Sequence, residues 1–226
     1  VYKRQKISGD GTSVMKIEGV KRLFGTRFSP IGDRIVAGTV ACATALCGGD
    51  VEIDGANVNH LGAVINCLQS KDCKIDGDDT YMRVRSTGRI HGVHAQSAPY
   101  PLLPTDMQPQ LLCASCFSDG VSVIRETVFE SRFAHVKEMQ KLGAKINVRG
   151  DTATIFGCEK SDSPYMIKGG SVVASDLRAG GALCIAALKI KGESKVYGVD
   201  FIDRGYERIE DLFCSLGGYV LRTKDR

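Results

Sequence analysis

The pattern that most constrains the fold is an acidic residue that opens an apolar helical stretch three times along the chain. The stretches read DRIVAGTVACATALCGG, TDMQPQLLCASCFSDG and SDLRAGGALCIAALKIKG, and their acids are Asp33, Asp106 and Asp176. These acids recur at intervals of 73 and 70 residues. A fixed period of this kind predicts one supersecondary unit used three times.

The segments that follow each acid-led helix recur as well. A glycine near the helix end precedes a short β-branched run, a second amphipathic helix, and a strand-like run around Ile75, Ile146 or Val220 (GYVLR in the third copy). Apolar spacing near three and four predicts the helices, and short alternating runs predict the strands. Each unit is therefore predicted as helix, strand, helix, strand, strand, in an α/β (α+β) fold. The third copy reaches Arg226 without its last strand.

The repeats also set the predicted domain organisation. Residues 31–226 form one domain with units of about 31–98, 99–168 and 169–226, of which the last is incomplete. The polar, patternless opening VYKRQKISGDGTS and the proline at position 30 predict that residues 1–30 are the remnant of an upstream N-terminal domain and a crossover.

Composition excludes several classes of protein. A formal charge of +4 without a basic run argues against a nucleic-acid partner, and charged residues or glycine interrupt every apolar stretch, which argues against a membrane span. The odd number of cysteines, nine, predicts reduced thiols in a cytoplasmic protein. Most are expected to be small core residues in apolar helices, among them Cys42, Cys47, Cys67, Cys113, Cys116, Cys184 and Cys214. The Cys113–Cys116 pair lacks a second CxxC or a His pair, which favours the core over a metal or redox site.

Asp106 is the first candidate for chemistry. It follows PYPLLPT, whose three prolines predict a rigid approach that ends at a helix N-terminus. Two interpretations stay open at this point. Asp106 is either a helix N-cap or a carboxylate placed to accept a proton from a substrate hydroxyl. Asp33, in the first copy, is predicted to be a cap or an interdomain contact.

Three arginines occupy equivalent ends of the repeated units. Arg132 and Arg204 open second helices, whereas Asp106 and Arg178 stand at the start of first helices. Equivalent ends point the same way, so these side chains are expected to converge on one rim that suits phosphate or carboxylate. The alternative for each charge is a solvated helix face. The pair Gly180–Gly181 is expected to let a ligand or backbone approach closely.

Four motifs in this order and spacing resemble the C-terminal half of the UDP-N-acetylglucosamine 1-carboxyvinyltransferase (enolpyruvyl transferase) family. They are PTDMQ, ETVFESRF, DLRAGGAL and DRGYERIED, and the resemblance runs from about Ile17 to the end. It implies three βαβαββ units with pseudo-threefold symmetry, an inside-out α/β barrel. It also implies transfer of the enolpyruvyl group from phosphoenolpyruvate to the 3′-hydroxyl of UDP-N-acetylglucosamine, the first committed step of peptidoglycan synthesis in the bacterial cytoplasm. No metal or other cofactor is implied.

The resemblance assigns roles residue by residue. Asp106 matches the aspartate that contacts the 3′-hydroxyl and is the proposed base. Val128 matches a residue whose backbone contacts the nucleotide sugar. Arg204 matches an arginine that binds the enolpyruvate donor, so Asp106 and Arg204 are the catalytic candidates. Arg132 and Arg178 match arginines that line the same cleft and bind substrate.

Two supporting carboxylates and one departure complete these expectations. Glu130 and Asp176 are expected to orient the guanidiniums, and family members usually carry Asn where Ser131 stands. The family's N-terminal domain, with its proton donor, is expected to be a missing partner of this chain, so the chain alone is expected to turn over little or no substrate. The alternatives are a related enolpyruvyl transferase with another acceptor, or a non-catalytic ligand-binding module.

Overall fold

A computed structural model describes residues 6–159 and 166–223, and the chain divides into two compact units, one up to Ile31 and one from Gly32. The first unit contains an antiparallel pair of short strands, β1 (Lys6–Ser8) and β2 (Lys16–Glu18), in which all side chains are exposed. Residues 1–5 of the predicted remnant lie outside the described residues.

The second unit contains the three repeats. The first repeat comprises α1 (Arg34–Cys47), β3 (Gly49–Asp54), α2 (Gly62–Leu68), β4 (Cys73–Gly77) and β5 (Tyr81–Ser86). The second comprises β6 (His94–Gln96), α3 (Gln108–Ser115), β7 (Val121–Arg125), α4 (Ala134–Lys141), β8 (Lys145–Arg149) and β9 (Thr152–Phe156). The third comprises β10 (Ser171–Val173), α5 (Leu177–Lys189), β11 (Lys195–Tyr197), α6 (Val199–Ile202) and α7 (Ile209–Ser215). Short 3₁₀ turns lie at Val58–His60 and Thr105–Met107.

Each complete repeat places its last strand in the middle of its sheet. The first sheet has the order β3-β5-β4 and the second β6-β7-β9-β8, and β5 and β9 pair antiparallel with both neighbours from their own repeat. The strand β6 pairs parallel with β7, as β10 does with β11. The second sheet therefore begins before the predicted unit boundary at residue 99.

The strand predicted for GYVLR in the third copy does not form, since residues 218–223 are in neither helix nor strand. The topology gives the physical reason. In the complete sheets, β4 and β8 pair only with the central last strand, β5 or β9. No strand follows α7 in the described residues, so the GYVLR segment lacks the central strand with which β4 and β8 pair, and Tyr219 is 87% exposed.

The core is built from the three acid-led helices. The helices α1, α3 and α5 pack pairwise against one another, and each also contacts strands of its own repeat. The buried positions are rich in small residues, including Ala41, Ala45, Ala114, Ala182 and Ala186. Small side chains let buried helices approach closely, so the helices lie inside and the sheets outside. No helix in the described residues is long and apolar enough to span a membrane.

The cysteine predictions hold only in part. Cys113 and Cys116 are buried in α3 and just after it, and burial raises the pKa of both thiols, as expected for core residues. All nine cysteines are free. Cys47 and Cys214, in contrast, are exposed, because they lie at or near the C-terminal ends of α1 and α7.

Candidate active site

Asp106 lies in the 3₁₀ turn before α3, at the end of a loop closed by backbone hydrogen bonds. The amide of Ala98 donates to the carbonyl of Leu103 over 2.9 Å, and Leu103 is buried. Pro104 begins the turn, and α3 starts only at Gln108 with no side-chain cap. The N-cap interpretation of Asp106 is therefore wrong, and its carboxylate is available for other contacts.

The Asp106 carboxylate bridges two guanidiniums. Its Oδ1 accepts from Arg132 Nη2 over 2.6 Å, and its Oδ2 accepts from Arg178 Nη2 over 3.0 Å. The Asp106 side chain is 40% exposed, while those of Arg132 and Arg178 are 11% and 16% exposed. The cluster thus offers one accessible carboxylate above two largely buried cations. Such charge-assisted bonds are about twice as strong as neutral ones.

Each arginine is held by further contacts. Burial opposes the charge of Arg178, but the hydrogen bond and the negative charge of Asp106 outweigh it, and the pKa of Arg178 is raised. The guanidinium carbon of Arg132 lies 5.0 Å from the ring centroid of Phe129, a cation–π distance. The Nε of Arg132 is buried without a hydrogen-bond partner among the described residues.

The loop that carries Arg132 is shaped by an unusual backbone conformation. Ser131 has φ of 58°, in the left-handed region that few residues other than Gly, Asn and Asp adopt readily. The resemblance leads us to expect Asn at this position in other family members. The conformation would suit Asn, and Ser131 adopts the same region at a higher backbone cost.

The carboxylate of Glu126 holds several segments of the site together through hydrogen bonds. Its role was not predicted from the sequence. Its Oε1 accepts from Ser97 Oγ at 2.6 Å and from the amides of Val128 and Phe129 at 2.9 and 3.0 Å. Its Oε2 accepts from Thr105 Oγ1 at 2.9 Å, which ties the Asp106 turn to the Val128 loop. Glu126 continues the alternation of buried residues along β7, but the sequence VSVIRE does not reveal it, because the apolar Val121 and Val123 lie on the less buried face.

The family model described as EPSP synthase (3-phosphoshikimate 1-carboxyvinyltransferase) matches residues 4–213. The chain belongs to the EPSP synthase family. UDP-N-acetylglucosamine 1-carboxyvinyltransferase from Bartonella tribocorum is 44% identical to this family member over 220 residues, which are 96% of the chain and 50% of the relative. The protein of the same name from Gluconacetobacter diazotrophicus is 39% identical over 97% of the chain and 51% of its own length.

Solved structures agree with the EPSP synthase fold. The enolpyruvyl transferase NikO from Streptomyces tendae superposes with a TM-score of 0.72 at 25% identity, over 83% of this chain and 43% of that one. EPSP synthase from Acinetobacter baumannii gives a TM-score of 0.73 at 18% identity, over 97% and 53%. The chain spans about half the length of the curated relatives that it matches.

Not all predicted site residues of this EPSP synthase family member meet at Asp106. Arg204 is exposed between α6 and α7, and its side chain makes no hydrogen bond or ion pair with the described residues. Its neighbour Asp203 binds Arg222 instead, at 2.7 and 2.9 Å. The side chain of Val128 is 47% exposed, and its amide is engaged by Glu126.

The two carboxylates expected to orient the guanidiniums are placed elsewhere. Glu130 is exposed and makes no hydrogen bond or ion pair with an arginine in the described part of the chain. Asp176 caps α5, and its Oδ1 accepts from the amides of Arg178 and Ala179 at 2.9 and 3.0 Å. Because the cap occupies the Asp176 carboxylate, the group that holds the arginines is Asp106 itself.

His135 is a second residue that the sequence did not single out. Its ring is buried at the start of α4, and burial lowers its pKa to about 4; the charge of Asp176 and a hydrogen bond with the Arg132 backbone oppose this shift, and the charge of Arg132 assists it. The ring is therefore neutral near neutral pH. No group of three or more His, Cys, Asp or Glu side chains in the described residues could hold a metal ion. The groups present can accept a proton and bind an anion.

Proposed function

We propose that this chain forms one wall of the active site of an enzyme that transfers the enolpyruvyl group of phosphoenolpyruvate to the 3′-hydroxyl of UDP-N-acetylglucosamine, with release of phosphate. The observation that carries the proposal is the accessible Asp106 carboxylate between Arg132 and Arg178. The names of relatives up to 44% identical supply the substrate class. The product would enter peptidoglycan synthesis in the bacterial cytoplasm.

The site suits both halves of this chemistry. Asp106 would take the proton of the 3′-hydroxyl as its oxygen bonds to C2 of phosphoenolpyruvate, while C3 receives a proton from a donor outside this chain. Loss of a C3 proton and cleavage of the bond between C2 and the phosphate oxygen would then release phosphate. The sugar oxygen stays bonded to C2, which leaves the enol ether. The donor carries a phosphate and a carboxylate, and Arg132 and Arg178 can bind such groups through several N–H donors. Arg204 would complete this set of arginines, and the backbone of Val128 would contact the nucleotide sugar.

Binding of the donor would also prepare the base. In the structure, both Asp106 oxygens accept hydrogen bonds from guanidiniums, so the carboxylate is engaged by Arg132 and Arg178. An anionic donor competes for the same N–H groups. Its arrival would free one carboxylate oxygen for the incoming hydroxyl, so donor and acceptor chemistry would be coupled through Arg132 and Arg178.

The experiment is a phosphate-release assay on two proteins. The first is the 226-residue chain alone, which we expect to show no turnover. The second is a fusion of this chain to the part of the Bartonella tribocorum relative that it does not match, with that complete relative as positive control. Release that requires both phosphoenolpyruvate and UDP-N-acetylglucosamine supports the proposal.

Two results would redirect the proposal. Release with 3-phosphoshikimate but not with UDP-N-acetylglucosamine would indicate another acceptor. Binding of UDP-N-acetylglucosamine, measured by calorimetry, without turnover by the folded fusion would indicate a non-catalytic module.

A further inference from the structure

The turn between α6 and α7 is buried at its two ends. Ile202 and Tyr206 are 1% and 2% exposed. A Cβ added at Gly180 would lie 2.4 Å from Ile202 Cγ1. A Cβ added at Gly181 would lie 2.7 Å from the Tyr206 hydroxyl oxygen. The Gly180–Gly181 pair, expected to admit a ligand or backbone, instead admits these two side chains, so the turn lies along α5.

The middle of this turn, residues 203–205, forms a crest that carries Arg204 close to the start of α5. Asp203 and Arg204 are exposed, and Gly205 is half-buried. A Cβ added at Gly205 would lie 2.7 Å from Leu177 Cδ2, so the crest packs on the residue that precedes Arg178. The backbone of Arg204 therefore lies beside the helix turn from which Arg178 extends.

A guanidinium from beyond α7 holds the exposed crest. Arg222 Nη1 donates to Asp203 Oδ2 over 2.9 Å, and Arg222 Nη2 donates to Asp203 Oδ1 over 2.7 Å. Nη2 also donates to Glu210 Oε2 over 2.9 Å. The Nε atom lies 2.8 Å from Glu210 Oε1, as an ion pair rather than an aligned hydrogen bond. Two parallel bonds from a planar guanidinium fix the direction of a carboxylate as well as its distance, so Arg222 fixes Asp203.

The two carboxylates bound by Arg222 differ in burial. The side chain of Glu210 is 9% exposed, whereas that of Asp203 is 40% exposed. Glu210 lies in the first turn of α7, beside Ile209, which is buried in the core. A single exposed ion pair contributes little, but bidentate geometry within a network of charges contributes more. Arg222 therefore ties the exposed carboxylate of the crest to a carboxylate that belongs to the packed core.

We propose that Arg222 is a positioning residue, which anchors the crest to α7 and so fixes the backbone of Arg204 beside Arg178. The consequence for donor binding rests on the proposed function, whereas the anchoring of the crest does not. The Arg204 side chain makes no hydrogen bond or ion pair within the described residues, so its place depends on the backbone that carries it. Without Arg222, the ends of the turn stay buried, but Asp203 is released and the crest becomes flexible.

The first experiment measures the ¹⁵N NMR order parameters of the Arg204 and Gly205 amides in the 226-residue chain. We expect Arg222→Gln to lower both from about 0.85, the value of a rigid backbone, to below about 0.6, and to leave the amides of α5 unchanged. The matched control is Arg149→Gln, because Arg149 is exposed and makes no hydrogen bond or ion pair in the described part of the chain. Unchanged values at the crest of folded Arg222→Gln, or an equal fall in α5, would overturn the proposal.

A second variant covers the case in which Arg222→Gln does not fold. Asp203→Ala removes the crest's carboxylate but leaves Arg222 bound to Glu210, so the buried acid keeps its partner. We expect the order parameters of the crest to fall as they do in Arg222→Gln. The control is Asp200→Ala, an exposed acid in α6 that makes no hydrogen bond or ion pair with other described residues, and it should leave the crest unchanged. Crest values in Asp203→Ala that match the wild-type chain would overturn the proposal.

The catalytic arm uses the fusion protein described above. Arg222→Gln is expected to raise KM for phosphoenolpyruvate by roughly tenfold and to leave KM for UDP-N-acetylglucosamine within about threefold. In an Arg204→Gln background, Arg222→Gln should change KM for phosphoenolpyruvate by less than about threefold, because coupled residues are not additive. An equal rise in KM with and without Arg204 would overturn the positioning of Arg204. An inactive wild-type fusion would count against the proposed function alone, because the order parameters are measured without it.

Discussion

Replacement of Glu126 tests how the turn that carries Asp106 and the loop that carries Val128 are held together. Its carboxylate accepts four hydrogen bonds from two hydroxyls and two backbone amides. Hydrogen bonds to charged groups contribute about 1.5–3 kcal/mol each, and an orphaned buried donor costs about 1–3 kcal/mol. Val128 and Phe129 are exposed, so water can replace the carboxylate at their amides, whereas Ser97 is fully buried.

The hydrogen-bond partners of Glu126 determine how much stability each variant is expected to lose. We expect Glu126→Ala to lower the free energy of unfolding by about 3–4 kcal/mol, mainly through Ser97 and the half-buried Thr105. Glu126→Gln should cost only about 1–2 kcal/mol, because its amide oxygen still accepts and its NH₂ can donate to Thr105 Oγ1. Urea unfolding followed by circular dichroism measures both, with Glu207→Gln at an exposed position as the control.

The pH dependence of stability tests independently whether folding lowers the pKa of Glu126. Burial raises the pKa of Glu126, but its hydrogen bonds with Ser97, Phe129, Val128 and Thr105 outweigh burial and lower it. A carboxyl whose folded pKa is lowered adds stability above its unfolded pKa of about 4.3 and loses it as pH falls through the folded value. The difference between wild type and Glu126→Gln should therefore shrink from about pH 7 to about pH 3. A difference that is the same at both pH values, or below about 0.5 kcal/mol near pH 7, would refute the reasoning.

Three further measurements probe the scaffold around the site. Asp176→Ala removes an N-cap and should lower the free energy of unfolding, measured in urea, by about 1 kcal/mol. Asp176→Asn should lower it by only a few tenths of a kcal/mol, because Asn also caps helices. Equal losses in the two variants would contradict the capping role of Asp176. His135 should titrate by NMR near a pKa of about 4. Because an unfolded His titrates near about 6.5 and binds the proton first, stability should fall as pH drops from about 6.5 toward 4, and a titration near 6.5 would contradict its burial. Gly180→Ala should lower the free energy of unfolding by about 1–3 kcal/mol, because the added Cβ would clash with Ile202. Gly62→Ala should not lower it, because there is open space at that Cβ. Equal unfolding free energies for the two variants would contradict the clash.

The acid-led helices show which features of the fold a local sequence pattern can predict. Asp33 and Asp176 cap α1 and α5, and an N-cap depends only on the residue and the next three amides. Asp106 shares their place in the repeat, but Pro104 begins a 3₁₀ turn and delays α3, so its carboxylate leaves the cap position. The repeat could predict the helix, and only the local proline geometry decides the role of the acid.

Features that depend on distant partners were harder to predict. The GYVLR segment has the composition of a strand, yet a strand needs a neighbour, and its neighbour in the complete repeats is the last, central strand. Equivalence between repeats indicated that Arg132 and Arg178 lie on one side, and the structure joins both to Asp106. The same equivalence could not show that Arg204 makes no bond to Asp106. Equivalent positions predict which side chains share a rim, but not which of them form hydrogen bonds.

The central claim is that Asp106 acts as the base toward the 3′-hydroxyl, held by Arg132 and Arg178. The direct measurement is kcat for phosphate release by the fusion protein with Asp106→Asn, which keeps the shape of the side chain but not its basicity. Loss of a positioned base predicts a fall in kcat of about 10²- to 10⁴-fold, with binding of UDP-N-acetylglucosamine retained. Turnover within about threefold of the unsubstituted fusion would contradict the claim.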